Sequence, residues 1–279
     1  MDSNDSKEWT SYAASADPYD RFQAPRTEQV ITRLTSLMQL KQRARILDVG
    51  CGTGAGVRAL AQRYPDGRIA ALDIEASLTE HARLSVSAHQ SSVVPIVADA
   101  EALPFASASF DRVLCAFVLG HLPTPMRALS EIARVLALDG QATLVHFTRP
   151  ENMITALARS VAANYVELSD IEGAYELSMP GASALRPWRI VEQFFKDVGG
   201  LSIEAAGLSL AEEQIATESY VQSRAATVTG RFLLFRLGSS GYATFQQALY
   251  DTLRSAYGDV LIEMREVGHV IVRKVENVE

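Results

Sequence analysis

Residues 45–56 read RILDVGCGTGAG, and the fold follows from this stretch. Arg45–Val49 is a short apolar run with one acid, Asp48, near its end. Glycines follow at positions 50, 52, 54 and 56, and then an apolar segment, Val57–Ala61. The pattern predicts a strand, a glycine turn and the start of a helix. Residues without Cβ accept positive φ and let backbone N–H groups come close to a ligand. The helix behind them points its unpaired N–H groups and the positive end of its dipole at the same place.

The spacing of the turn selects among ligands. A dinucleotide turn has the form G-x-G-x-x-G, with the pyrophosphate on the helix N-terminus. Here the form is G-x-G-x-G-x-G, and Asp48 stands two residues before the first glycine. A carboxylate there repels a pyrophosphate and accepts hydrogen bonds from an ammonium group. S-adenosylmethionine carries such an ammonium and no phosphate. The stretch resembles the first motif of class I S-adenosylmethionine-dependent methyltransferases, which implies cofactor contacts from Asp48, Gly50, Cys51 and Gly52. The other reading of the same residues is a tight glycine turn with no ligand.

Downstream, Gly67–Asp73 reads as a second strand ending in an acid. Asp73 lies 19 positions beyond Gly54 (73 − 54), near the spacing at which a βαβ unit sets a carboxylate on ribose hydroxyls. It could instead cap the helix Ala76–Ala88. Ile74, its neighbour, is placed with it on the cofactor. Ser92–Ala98 is a third strand, and residues 97–117 read VADAEALPFASASFDRVLCAF. That run resembles a signature of the ubiquinone- and menaquinone-biosynthesis-like (type 11) small-molecule methyltransferases. The resemblance implies that Asp99 accepts from the adenine amino group and Ala100 gives its N–H to the ring. It also puts Cys115 and Ala116, in the fourth strand Arg112–Phe117, beside the cofactor. Asp111 reads as structural.

His121 follows the carboxyl end of the fourth strand, where open α/β sheets bind ligands. A neutral imidazole there accepts a substrate proton or else orients its own loop. Gly120 stands where related sequences carry a polar residue or a second histidine, which widens the site. An amphipathic helix, Met126–Leu136, leads through an Asp139-Gly140 turn to the fifth strand, Gln141–Phe147. His146, near its end, is the second candidate base, and Arg149 lies just beyond. Upstream, a polar arm carries Trp9, Tyr12, Tyr19 and Phe22, which either dock for stability or close over the ligand. The resemblance places the Tyr19–Phe22 segment at the cofactor mouth, with Tyr19 on the cofactor. Tyr12, Phe22, Arg149 and Trp188 are the expected substrate-side residues.

The βα rhythm predicts an α/β fold, a doubly wound, mostly parallel seven-stranded sheet, with an N-terminal helical arm and a helical cap insertion. The expected division is 1–40 for the arm and a helix Arg26–Leu40 started at Pro25, 41–150 for the cofactor-binding core, 151–190 for a lid, and 191–279 for the rest of the sheet. The last part is read as a helix Trp188–Val198, a strand Leu201–Leu210, helices Glu212–Gly238 and Ala243–Tyr257, and a strand Gly268–Val275.

The whole-chain properties narrow the partners. With 48% hydrophobic residues among 279, a sizeable core is within reach, yet no apolar run suits a membrane span. The polar, acidic start lacks the features of a secretory signal, and Cys51 and Cys115 have no metal-ligand spacing, so a cytoplasmic protein with reduced thiols and no metal is expected. A net charge of −7 gives no reason to expect nucleic acid. A homo-oligomer stays open. The resemblance implies methyl transfer to a small, apolar or aromatic metabolite of biosynthetic or secondary metabolism, with S-adenosylhomocysteine as product. Two alternatives stand beside it. One is a protein of this kind that binds S-adenosylmethionine but cyclises or rearranges a small molecule. The other is an NAD-dependent oxidoreductase, against which stand the glycine spacing, Asp48 and the lack of an evident Tyr-x-x-x-Lys pair.

Overall fold

The computed structural model describes residues 9–12, 16–86, 92–148 and 152–276. Two compact units divide the chain. A sheet unit comprises Arg26–Thr148, Gly181–Ser209 and Val267–Glu279, and a helical unit comprises Met1–Pro25, Arg149–Pro180 and Leu210–Glu266. These boundaries differ from the expected division: the first falls at 25/26, and the stretch 151–190 is shared between the units.

The sheet has seven strands: β1 (Arg45–Val49), β2 (Arg68–Asp73), β3 (Ser92–Val97), β4 (Phe110–Ala116), β5 (Leu136–Phe147), β6 (Leu201–Ala216) and β7 (Val260–Lys274). Their order is β3-β2-β1-β4-β5-β7-β6. The first five strands are parallel, and β7 lies antiparallel to β5. This is the expected doubly wound, mostly parallel sheet. The order reverses between β1 and β4, and a crevice at that switch point is where such sheets take ligands.

The central strands are near-continuous apolar runs because helices cover both faces. In the sheet unit the crossovers are α1 (Ala24–Thr35), α2 (Ala55–Arg63), α3 (Ala76–Leu84), α4 (Pro125–Val135) and, before β6, α5 (Arg189–Asp197). Helix α4 shows the logic. Pro125 starts it, and Ala128, Leu129, Ile132 and Val135 recur at helical spacing and are buried. Each large aliphatic side chain so buried contributes about 1.5–3 kcal/mol. They join Val113, Leu144 and Phe195 in one core. The helical unit has its own core, in which Trp9, Tyr220, Phe232, Phe245 and Leu249 meet. Its helices are α6 (Met153–Ala162), α7 (Leu168–Ser178), α8 (Thr217–Ser223) and α9 (Val228–Tyr257), the last broken at Gly238 (φ 64°).

Several expectations need correction. The stretch 212–216 is strand: β6 runs to Ala216, and helix begins at Thr217. Its residues alternate between half-buried and exposed, as a strand requires, and the acids fall on both sides. Likewise β7 begins at Val260, eight residues before the expected Gly268 (268 − 260). Residues 228–237 are helical, as expected. Helix α3 ends at Leu84 rather than Ala88. Pro25 does not start a helix, because a π-helical turn, Tyr19–Gln23, runs directly into α1, which ends at Thr35 rather than Leu40. A wide turn tolerates a proline whose N–H is missing from the ladder. Asp139, the expected turn residue, takes φ 60° inside β5, where the register with β4 shifts.

Asp111, at the start of β4, holds the strand bottoms together. Its carboxylate accepts from the Arg45 backbone N–H at 2.9 Å, from the Arg45 guanidinium at 3.1 and 3.2 Å, and from Lys41 Nζ at 2.8 Å. Burial alone would raise its pKa, but these hydrogen bonds override that effect and hold the carboxyl well below the usual range. The Asp111→Asn variant should lose about 2 kcal/mol of stability at neutral pH. A folded-state pKa below the unfolded one gives stability that is present above about pH 4 and lost on acidification, so denaturant titrations of wild type and variant should draw steadily together as the pH falls below about 4.

Candidate functional site

The β1–α2 turn is built by contacts that exclude any other residue at its key positions. Gly50 (φ 68°) lies under Val118, and a Cβ there would come within 2.2 Å of its Cγ2. Gly56 lies against Asp48, where a Cβ would meet Oδ2 at 2.4 Å. Gly52 (φ 50°) is different: a Cβ built on it meets nothing within 4 Å. Its backbone therefore faces open space, the condition for close approach by a ligand. The turn is pinned from below. Gly52 N–H donates to Asp73 Oδ2 at 3.0 Å, and Cys51 N–H to the Leu72 carbonyl at 2.9 Å.

Asp48 is 2% exposed, and its Oδ2 has no hydrogen-bond partner. Burial, then the neighbouring Asp73 carboxylate, pushes its pKa up to about 8. A buried carboxylate without a counter-charge is costly, and a cation brought beside it removes that cost. Asp73 is itself raised by burial, against which the N–H groups of Glu75 and Gly52 act. Next to it Ile74 is 70% exposed, an apolar side chain left bare at the carboxyl end of β2. At the end of β3, Asp99 is exposed, and its Oδ1 accepts from Glu101 N–H at 2.8 Å. Ala100 is buried, and among the described residues no backbone carbonyl accepts its N–H. Thus Asp48, Gly50, Gly52, Asp73, Ile74, Asp99 and Ala100 all stand at the carboxyl ends of β1, β2 and β3.

The cysteines stand differently. Burial, with Asp48 and Asp73 nearby, pushes the Cys51 thiol far up, and burial does the same for Cys115, so both stay protonated. Cys115 is fully buried within β4, paired with Val49 and Leu144, and acts as core. Ala116 ends the same strand, half-buried.

The two histidines come together on the β4 and β5 side. His121 closes a 3-10 turn, Leu119–His121, just after β4. His146 is 7% exposed near the end of β5, and burial, then the charges of His121 and Arg186, lowers its pKa to about 4. His146 is therefore neutral at physiological pH. Its ring stacks on Trp188 with centroids 6.0 Å apart. Trp188 is 4% exposed and fills the space over Gly268, where a Cβ would come within 2.6 Å of the indole. Expected on the substrate side, Trp188 here serves the core of the sheet unit. Tyr12, Tyr19 and Phe22 belong to the helical unit, where the rings of Tyr12 and Tyr19 meet edge-on at 6.3 Å. Arg149 lies outside the described residues.

With this geometry in view, the comparisons with known proteins are decisive. Residues 47–145 match the methyltransferase domain family. In sequence, residues 47–145 are thus similar to a methyltransferase domain. Among curated relatives, a malonyl-[acyl-carrier protein] O-methyltransferase of Geobacter sulfurreducens is 38% identical over 132 residues, 47% of this chain and 49% of the relative. A ubiquinone/menaquinone biosynthesis C-methyltransferase of Bordetella parapertussis is 39% identical over 106 residues, 38% of this chain and 41% of the relative. The chain thus spans about half the length of the curated relatives it matches. In fold, it resembles a Bacillus halodurans protein described as a methyltransferase, with TM-score 0.58 and 23% identity over 89% of this chain and all of that one.

One feature of the sheet unit carries no mark in the sequence. Phe117 takes φ 63° immediately after β4, and its ring stacks on Phe147 with centroids 4.3 Å apart. Positive φ in a bulky residue persists only where surrounding structure imposes it, and it gathers at functional sites. No local sequence signal marks it, because the residue is held by a partner far along the chain: its N–H donates to the Val145 carbonyl at 2.7 Å. Among the described residues no cluster could hold a metal ion, and no helix is long and apolar enough to cross a membrane.

The partnerless Asp48 carboxyl yields a sign-specific prediction. Its raised folded-state pKa means that ionisation costs stability between about pH 4 and pH 8. The Asp48→Asn variant, free of ligand, should be more stable than wild type at pH 8 by about 1–3 kcal/mol. The difference should shrink towards pH 4. Thermal melts across that range measure it.

Proposed function

We propose that this protein transfers the methyl group of S-adenosylmethionine to a small apolar or aromatic acceptor, releasing S-adenosylhomocysteine. The observation that carries the reading is the buried, partnerless Asp48 carboxyl beside an open glycine turn. A cationic ligand without phosphate answers it. Asp48 would supply the negative field for the ammonium, the open Gly52 backbone would let the amino-acid part approach, and Asp73 would take the ribose hydroxyls. Ile74 and Ala100 would flank the adenine, with Asp99 on its amino group. A Haemonchus contortus phosphoethanolamine N-methyltransferase with S-adenosylhomocysteine bound shares the fold, at TM-score 0.53 and 18% identity over 89% of this chain and 52% of that one.

When bound, the cofactor supplies a sulfonium methyl that is already activated. The chain's own residues then mainly orient, and orientation alone is worth about 7–11 kcal/mol. The stacked Phe117 and Phe147 at the ends of β4 and β5 favour an apolar or aromatic acceptor. A base is needed only if the nucleophile keeps its proton. His146, held near pKa 4, accepts a proton poorly, so that role falls to His121. The sequence resemblance implies Tyr19 on the cofactor, and Tyr12, Phe22 and Arg149 stay as the sequence's candidates for the acceptor. The relatives named above act on malonyl-[acyl-carrier protein] and on quinone precursors, chemically different acceptors, and the acceptor here is taken to be a small metabolite.

Calorimetric titration with S-adenosylhomocysteine, with NAD in parallel, tests the cofactor without knowledge of the acceptor. Micromolar binding is expected, weakened about 10-fold or more by Asp73→Ala or Gly52→Val. Heat from NAD and none from S-adenosylhomocysteine would sink the reading. Once an acceptor is known, His121→Gln should lower kcat about 100-fold, and His146→Gln much less. Equal, unchanged kcat in both would remove base catalysis from the proposal.

A further inference from the structure

The helical unit holds a charge that its own residues leave uncompensated. Arg231, in the first turns of α9, is 5% exposed. Its Nε and Nη1 have no hydrogen-bond partner, and Nη2 alone donates, to Ser178 Oγ at 3.3 Å. Among the described residues no carboxylate pairs with it. One face of the guanidinium is covered by the ring of Tyr12, 3.6 Å from Cζ to the centroid. The ring offers a cation a negative face but no acceptor for its N–H groups. The buried Arg112 of the sheet unit is the contrast: it gives its three nitrogens to the carbonyls of Gln39 and Asp111. Burial of a charge without a partner is too costly to be incidental.

We propose that Arg231, with Ser178 beside it and Tyr12 over it, is a binding site for the carboxylate of a small organic acid. A planar carboxylate accepts in-plane from Nε–H and Nη1–H while the face stays under the aromatic ring. The lone positive charge matches a monoanion better than a phosphate dianion. The Tyr12 ring against the guanidinium gives the site an aromatic wall, which suits an acid with an apolar body. The inference rests on the helical unit alone and does not depend on methyl transfer.

The test uses the full chain, melted at fixed ionic strength with benzoate, with its neutral analogue benzamide, with inorganic phosphate, and with chloride as the baseline. Benzoate should raise the melting temperature in a saturable way, by about 3 °C at ten times its dissociation constant. Benzamide should not. Arg231→Met should melt no lower than wild type without ligand, since it removes an unpaired buried charge, and should lose the benzoate response. Arg231→Lys, which keeps the charge but not the planar fork, should retain a weakened response and serves if the methionine variant does not fold. Equal responses to benzoate and benzamide, or an undiminished response in Arg231→Met, would overturn the proposal. A response to phosphate without one to benzoate would overturn the carboxylate assignment.

Discussion

A hydrogen bond from the Gly52 N–H to Asp73, 3.0 Å long, is the constraint on which the sheet unit turns. It joins the loop after β1 to the end of β2 and fixes where the open backbone faces. The same carboxylate accepts from Glu75 N–H at 3.1 Å, so one side chain sets both the glycine turn and the start of α3. The cost is a cluster of acids: Asp73 raises Asp48, and both raise the Cys51 thiol. Acids crowded behind a glycine turn set a field that opposes phosphate and suits an ammonium, as the proposed cofactor requires.

Everything around that turn is packed to keep it in place. Val118 bears on Gly50, the Asp48 carboxyl on Gly56, and Ser85 on Gly54, each closer than a Cβ would allow. At the other end of the strands, Asp111 and its cationic partners tie the segment at Lys41–Arg45 to β4. Stability is concentrated at the lower end and in the core. The carboxyl ends hold the costly groups: an unpaired acid, a lowered histidine and the positive φ of Phe117. Such local conflict is tolerated where the rest of the fold over-determines it, and it marks functional ground.

The sheet, the glycine turn and the strand-end positions of the acids were legible in the chain itself. Glycine spacing, the acid at 48 and the acid at 73 are local signals, because a βαβ unit converts distance along the chain directly into position at the strand ends. The extra length of β6 and β7 was not legible. Residues 212–216 alternate weakly, and nothing local distinguishes a mixed polar strand from a helix start. Trp188 was equally opaque: a bulky residue after a Pro-Gly turn suits a lid, whereas its place over Gly268 comes from a strand eighty residues later (268 − 188).

Sequence by itself thus determined the order of elements, the glycine turn and the acids that face it, since each follows from side-chain chemistry within about thirty residues. Only the tertiary structure decided that Asp48 has no partner, that His146 is buried and neutral beneath Trp188, that Phe117 is strained, and that Arg231 is enclosed without an acid. Those properties depend on which groups are excluded from water and which are missing nearby. Burial and absence are set by the packing of segments far apart in the chain, which no local pattern encodes.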